Sequence, residues 1–192
     1  MSWRNDQVSE LETGRILSVA KDCLFASGDF VELGCYKGDT SMLLAEVIEG
    51  SDKRLFIYDS FEGLPEKSAP DVSEAGRDFV KGALLVTKRE VKARFLRAGM
   101  KLPVIKKAWF NELSDADLPE KIAFAFLDGD LYESIRDSLR LVRGKLSEGA
   151  VVIVHDYQNE ALPGVAKAVD EWLVQNPGHK TEIYRSMVII WA

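Results

Sequence analysis

The sequence predicts an α/β fold, a mostly parallel β-sheet covered by helices. Short apolar runs alternate with amphipathic stretches of helical period along the 192 residues, as successive βα units require. One run, Ile122 to Leu127, is apolar almost throughout, as a strand buried on both faces must be. Several runs stop abruptly at Gly, Asp or His, the residue types that serve ligands at strand ends. A chain of 192 residues suits one domain with one substantial core. No internal repeat, low-complexity tract or Pro/Gly-rich linker divides it. Residues 1–192 are therefore taken as a single domain, with an N-terminal helical segment over 1–28 and the core over 29–192.

The elements follow in order. Leu11, Ile16, Val19, Ala20, Cys23 and Leu24 recur at helical spacing and predict a helix over 8–27, ended by Gly28. Asp29 to Leu33 is the first strand, leading into Gly34-Cys35-Tyr36-Lys37-Gly38. Asp39 and Thr40 can cap the next helix, which runs to about Glu49. Arg54 to Tyr58 is the second strand, ending at Asp59, and the stretch from Ser60 to Leu85 has no clear period. Thr87-Lys88-Arg89-Glu90 is a capping box that opens a helix through Ala98, with Gly99 as its stop. Pro103 to Lys106 is a short third strand. After the Ile122–Leu127 strand, Ile135, Leu139, Val142 and Leu146 mark a helix, with Asp130 as its N-cap and Gly149 beyond its end. Ala150 to Val154 is a fifth strand ending at His155-Asp156. Pro163 starts a helix with a Val165, Val169, Trp172 and Leu173 stripe. Thr181–Tyr184 and Met187–Trp191 are strands joined by a tight turn at Arg185-Ser186, which gives the sheet an antiparallel close.

Composition bounds the partners. Apolar residues make up 46% and charged residues 29%, an ordinary globular balance. With 25 basic and 31 acidic residues the net charge is -6, so nothing draws the chain generally to nucleic acid. The basic stretch Lys88 to Arg97 is interleaved with apolar residues and reads as a solvated helix face. No apolar run reaches the ~20 residues of a membrane span. The polar start, Met1 to Asp6, lacks a signal-peptide core. Cys23 and Cys35 form no C-x-x-C pair and suit a reducing compartment. A cytoplasmic location is therefore expected. Cys35 reads as a small packed residue rather than a reactive thiol, and His179, after Pro177-Gly178, as a surface residue. Trp3 and Trp191 would either cover the core or form a contact in a homodimer.

The polar strand ends, Gly34, Asp59, Asp128 and His155-Asp156, should converge on one crevice. The first turn is not G-x-G-x-x-G, which disfavours a pyrophosphate-bearing dinucleotide. Glu32, just before it, suits a cationic ligand group better than a phosphate. Asp59 can accept hydrogen bonds from both hydroxyls of a ribose. Asp128, His155 and Asp156 have the chemistry to hold a divalent cation, Mg²⁺ being favoured by oxygens and softer metals by the imidazole. Alternatively His155 alone is a general base, or the acids merely cap helices.

Four segments resemble the macrocin O-methyltransferase (TylF-like) family: Glu32–Gly38, Tyr58–Pro65 (Y-D-S-F-E-G-L-P), Leu127–Ser134 (L-D-G-D-L-Y-E-S) and His155–Tyr157. The resemblance runs from about Phe30 to Ile190. It implies the Rossmann-like class I methyltransferase fold, with a seven-stranded sheet, and S-adenosyl-L-methionine as cofactor with a divalent metal. It also implies methylation of a hydroxyl on a small molecule, a sugar or natural product. By resemblance, Glu32, Gly34, Tyr36 and Gly38 surround the methionine end of the cofactor, and Cys35, Thr40 and Ser41 join them from the same turn and helix start. Asp59, Ser60 and Phe61 hold the ribose and adenine edge, and Trp109 and Phe110 line the adenine pocket. Asp128, with the cofactor, and Asp156 fall on metal-ligand positions; Asp128 and His155 are the expected catalytic residues. The family usually has a second Asp where this chain has His155, and its sugar-modifying members carry a longer N-terminal region. The acceptor is expected between residues 60 and 85 and around Tyr157 to Leu162. Two other readings compete. Asp128-Gly129-Asp130 matches a D-x-D metal motif of nucleotide-sugar glycosyltransferases, and a fold can persist in a non-catalytic binding module.

Overall fold

The computed structural model describes residues 7–192; Trp3 lies outside them. Strands β1 (Asp29–Leu33), β2 (Leu55–Asp59), β3 (Val104–Lys107), β4 (Ile122–Leu127), β5 (Leu146–Val154), β6 (Lys180–Tyr184) and β7 (Met187–Trp191) form one sheet. Its order is β3-β2-β1-β4-β5-β7-β6. The first five strands are parallel, and β7 pairs antiparallel with β5 and β6. The expected α/β class and antiparallel close are therefore present. From β1 the chain builds outward through β2 and β3, then returns to place β4 on the other side of β1. The strand order thus reverses between β1 and β4, where open α/β sheets bind their ligands.

Alternation along the strands sorts their side chains into two cores. Phe30, Ile57, Phe124, Phe126, Ile153 and Ile189 pack beneath α1 (Glu10–Asp22), α2 (Asp39–Val47) and α3 (Lys88–Arg97). Val31, Leu33, Ala125, Leu127, Val152 and Val188 pack beneath α4 (Tyr132–Arg143) and α5 (Pro163–Gln175). The period of two puts Glu32 on the first face, beside α2, where Ser41 donates a hydrogen bond to it.

Several expected details change. The helix predicted over 8–27 is α1 followed by a 3-10 turn at Cys23–Phe25. Leu11 is 59% exposed because Glu12, not Leu11, turns inward, where the Ser9 and Ser186 hydroxyls satisfy its carboxylate. Asp39 and Thr40 lie inside α2, whose N-cap is Gly38 at φ 81. Leu146 belongs to β5 rather than to α4. Lys145 O accepts from Ile122 N, so Leu146 is drawn into register with Ile122, and the register shift that follows loops Gly149 out at φ 76. Asp130 is not the N-cap of α4. That position is Leu131, and Asp130 takes a left-handed conformation, φ 61. The Thr87–Glu90 capping box and the Arg185-Ser186 turn form as expected. On α3, Val91 and Phe95 are buried while Arg89, Lys92 and Arg97 face solvent. His179 is half-buried, its ring 5.1 Å from that of Trp172, and its Nδ1 lies 3.0 Å from Trp191 O. Trp191 itself packs partly buried on the first core.

Glu12 ties the start of the fold to its end. Its Oε2 accepts from Ser9 N and Oγ, closing the capping box of α1, and its Oε1 accepts from Ser186 N (3.1 Å) and Oγ (2.6 Å) in the β6–β7 turn. Burial alone would raise this carboxyl, but the Ser186 and Ser9 hydrogen bonds outweigh it and bring the group from 4.5 to about 2. Replacing Glu12 by Ala should cost about 2–3 kcal/mol in urea unfolding at neutral pH. Because the folded carboxyl lies below its unfolded value, its contribution is full above about pH 5 and fades as pH falls toward about 2. The stability gap between wild type and Glu12→Gln should shrink over that window; a gap independent of pH would contradict the clamp.

Candidate active site

The loop after β1 has no room for a side chain at its first residue. Gly34 has φ 92, and a Cβ there would lie 2.0 Å from Asp128 O. The close approach follows from pairing: Gly34 N donates to Tyr58 O and Asp128 N donates to Leu33 O, both at 2.9 Å. Three strand ends are thus drawn together. Asp59, ending β2, holds the loop in place. Its Oδ2 accepts from Cys35 N (2.9 Å) and Tyr36 N (3.3 Å), and its Oδ1 from Phe61 N (2.7 Å). A carboxylate offers about four acceptor positions, so about one remains for a ligand. Both ribose hydroxyls cannot be served by Asp59 without displacing a backbone donor. Arg94, from α3, braces the outer side of the loop through Lys37 O and the Asp39 carboxylate.

Four non-glycine residues in the left-handed region follow the four central parallel strands: Tyr36 (φ 46) after β1, Phe61 (φ 52) after β2, Asp130 (φ 61) after β4 and Asp156 (φ 59) after β5. Such conformations are unfavourable for L-residues and gather at functional sites. Here they turn the chain sharply at each strand end and leave a cleft with about 1120 Å³ of empty space, part of it open to solvent. Sequence reasoning had no signal for these turns.

Glu32, Gly34, Cys35, Tyr36, Thr40, Asp59, Ser60, Trp109, Phe110, Asp128, His155 and Asp156 all line this cleft. Gly38, Ser41 and Phe61 stand behind it: Gly38 caps α2, Ser41 bonds Glu32, and Phe61 is buried in the first core. Glu32 is 1% exposed; burial pushes its carboxyl up to about 8, against the Ser41 hydrogen bond. Cys35 is also buried, and burial followed by the Asp59 and Glu32 charges raises its thiol well above the usual value, which agrees with a packing role.

The second constellation lies across the cleft. His155 Nδ1 is 3.1 Å from Asp128 Oδ1 and 3.0 Å from Asp156 Oδ2. Carboxylates only accept, so Nδ1 carries a proton in this arrangement. Burial pulls the imidazole's pKa down, but Asp128 and Asp156 outweigh it and lift it to about 11. The two acids thus favour the protonated form of His155, which acts as a base or a ligand only through a ring nitrogen that carries no proton. Its buried Nε2 has no hydrogen-bond partner. Asn159 Nδ2 donates to Asp156 Oδ1 at 2.8 Å and fixes that carboxylate. The three residues have donor atoms within 4.8 Å of one another, and two carboxylates and an imidazole so grouped fit one divalent cation.

Asp130 was missed as a site residue. It lines the cleft beside Asp128, and burial, then the Asp128 and Asp156 charges, raises its carboxyl well above the usual range. The sequence marks it only in the D-x-D motif of the glycosyltransferase alternative and as the expected N-cap of the next helix. From the irregular stretch after β2, Leu64, Pro65, Phe79 and Leu84 reach the cleft; of the second expected acceptor segment, Asn159 does, whereas Leu162 is core and Tyr157 bonds Asp170. Gln7 and Val8, just before α1, close another side. Among the described residues, no helix is long and apolar enough to cross a membrane.

The profile of the macrocin-O-methyltransferase (TylF) family matches residues 15–183. The chain is 34% identical over 143 residues to 8-demethyl-8-(2,3-dimethoxy-alpha-L-rhamnosyl)-tetracenomycin-C 4'-O-methyltransferase of Streptomyces olivaceus, covering 70% of this chain and 54% of that protein. It is 31% identical over 158 residues to demethyldecarbamoylnovobiocin O-methyltransferase of Streptomyces niveus, covering 76% and 58% respectively. The chain therefore spans little more than half the length of either relative. The solved structure of the O-methyltransferase NovP superposes with a TM-score of 0.80 at 26% identity, over 93% of this chain and 78% of that one. These likenesses favour the methyltransferase reading over the glycosyltransferase one. The seven-stranded Rossmann-like sheet and the matched sequence lead to one conclusion: the chain belongs to the macrocin-O-methyltransferase (TylF) family.

Proposed function

We propose that this protein transfers a methyl group from S-adenosylmethionine to a hydroxyl of a small, polar acceptor. The observation that carries the reading is the convergence of Glu32, Asp59, Asp128 and the His155-Asp156 pair on one cleft at the strand-order reversal. An acid-lined cleft with aromatic side chains in its wall suits a cofactor that is cationic at one end, hydroxylated in the middle and aromatic at the other. Glu32 and the Gly34–Tyr36 backbone would hold the cationic end, Asp59 would take one ribose hydroxyl, and Trp109 and Phe110, which line the same cleft, would provide the apolar wall for the base. Bound there, S-adenosylmethionine supplies an electrophilic methyl group, which passes to the acceptor oxygen and leaves S-adenosylhomocysteine.

The protein's own share is proximity, orientation and a place for the hydroxyl proton. Asp128 stands at the β4 end, where it can orient the acceptor oxygen and take its proton, and Asp130 lines the cleft beside it. His155, held between Asp128 and Asp156, supplies positive charge close to the developing alkoxide. A divalent cation bound by Asp128, His155 and Asp156 would act as a Lewis acid and lower the pKa of that hydroxyl. Because the tetracenomycin relative acts, by its name, on a rhamnosyl compound, glycosides are the first acceptors to test.

Incubation with methyl-labelled S-adenosylmethionine and a panel of glycosides should move label to a hydroxyl, and Asp128→Asn should lower turnover by about 10²-fold or more. No transfer to any hydroxylated acceptor, or an unaffected variant, would contradict the reading. Titration with Mn²⁺ and Mg²⁺ should show tighter Mn²⁺ binding, and His155→Asp should narrow the gap by about tenfold or more, because an imidazole nitrogen favours softer ions. An unchanged Mn²⁺/Mg²⁺ ratio in the variant would remove His155 from the ligand set.

A further inference from the structure

Helix α4 begins just beyond the end of β4, and α5 follows the turn over residues 155–162 after β5; neither has a side-chain cap of its own, their N-caps being Leu131 and Leu162. The orphan amides at a helix start need partners. For α4 the partner comes from far along the chain. Asp71 Oδ1 accepts from Tyr132 N at 2.7 Å, and Asp71 is 1% exposed. Its other oxygen, Oδ2, accepts from Ser68 N (3.0 Å) and Ser68 Oγ (2.6 Å) in its own loop. The same carboxylate presses on α5, where a Cβ at Gly164 would lie 1.9 Å from Asp71 Oδ1. Two further contacts run beside it: Ser73 Oγ donates to Glu160 O at 2.8 Å, and Gly76 sits so close to Ala161 that a Cβ would be 2.0 Å from its carbonyl oxygen.

The loop so anchored is a compact excursion. Its base is closed where Leu64 N donates to Ala83 O and Gly82 N to Leu64 O. Its near side places Leu64, Pro65, Phe79 and Leu84 in the wall of the cleft, while Asp71 itself lies outside the lining. One buried carboxylate therefore connects this wall to the helix start behind Asp128 and Asp130 and to the helix that follows His155 and Asp156. We infer that Asp71 is a positioning residue, which sets the distance between the apolar wall formed by residues 64–84 and the acid-bearing ends of β4 and β5. Naming that wall the acceptor side rests on the proposed methyl transfer; the mechanical link does not.

Amide hydrogen exchange of the full chain tests it, with Asp71→Ala and Asp71→Asn compared with wild type. In Asp71→Ala, exchange should accelerate about tenfold or more in two stretches distant in sequence, the 64–83 loop and the first turn of α4, while β6 and β7 stay as protected as in wild type. Asp71→Asn keeps an acceptor for Tyr132 N but turns an amide toward the Ser68 donors, so it should preserve the α4 turn and release the loop. S-adenosylhomocysteine affinity should stay within about threefold of wild type in Asp71→Asn, because Asp71 lies outside the cleft lining. A loop as protected in both variants as in wild type would overturn the inference. So would uniform acceleration across the sheet in both, which would make Asp71 a general stability residue. If wild type fails to bind S-adenosylhomocysteine, the proposed function falls while the exchange result still decides the role of Asp71.

Discussion

Two backbones meet at the reversal of strand order with no side chain between them, and the rest of the site depends on that contact. Gly34 approaches Asp128 so closely that even a methyl group is excluded. A side chain at this position would clash with the Asp128 carbonyl and force the loop after β1 away from the end of β4, where Glu32 and Asp128 share one cleft. The contact is a consequence of sheet geometry: β1 sits between β2 and β4, bonded to each through the residues flanking Gly34. Asp59 then turns the geometry into a shaped loop by accepting the Cys35 and Tyr36 amides. A carboxylate that first organises backbone has limited capacity left for a ligand, so a ligand bound there would be gripped as much by loop shape as by Asp59.

The cleft gathers Glu32, Asp59, Asp128, Asp130 and Asp156 around a single imidazole. Such a concentration of acids in a poorly solvated place is unfavourable unless positive charge compensates it. Glu32 and Asp130 respond by holding their protons to higher pH, and His155 by keeping its own. Cationic cofactor and divalent metal would relieve the same strain from two directions. Such a lining would suit the proposed sulfonium donor.

Much of this was legible in the sequence because it depends on local pattern. The uniformly apolar Ile122–Leu127 run, the Thr87–Glu90 capping box and the acids at strand ends are each readable within a few residues, and each stands where expected. What failed depends on distant partners. Leu11 looked like core because periodicity cannot see that Ser186 satisfies Glu12. Asp130 looked like a cap because no short-range signal reveals that Asp71, 61 residues away from Tyr132, supplies the cap instead. Leu146 fitted a helical stripe, yet pairing with Ile122 claimed it for the sheet. Backbone conformation was also hidden: nothing in the letters marks Tyr36, Phe61, Asp130 and Asp156 as left-handed.

On the proposed function, the loop held by Asp59 is the binding site for the adenosyl cofactor. Calorimetric titration of S-adenosylhomocysteine into wild type and Asp59→Ala, with thermal unfolding as a folding control, tests it most directly. Micromolar binding by wild type, weakened about tenfold or more in a folded variant that has lost the Cys35 and Tyr36 anchors, is the predicted result. No binding by wild type, or equal affinity in the two proteins, would contradict it.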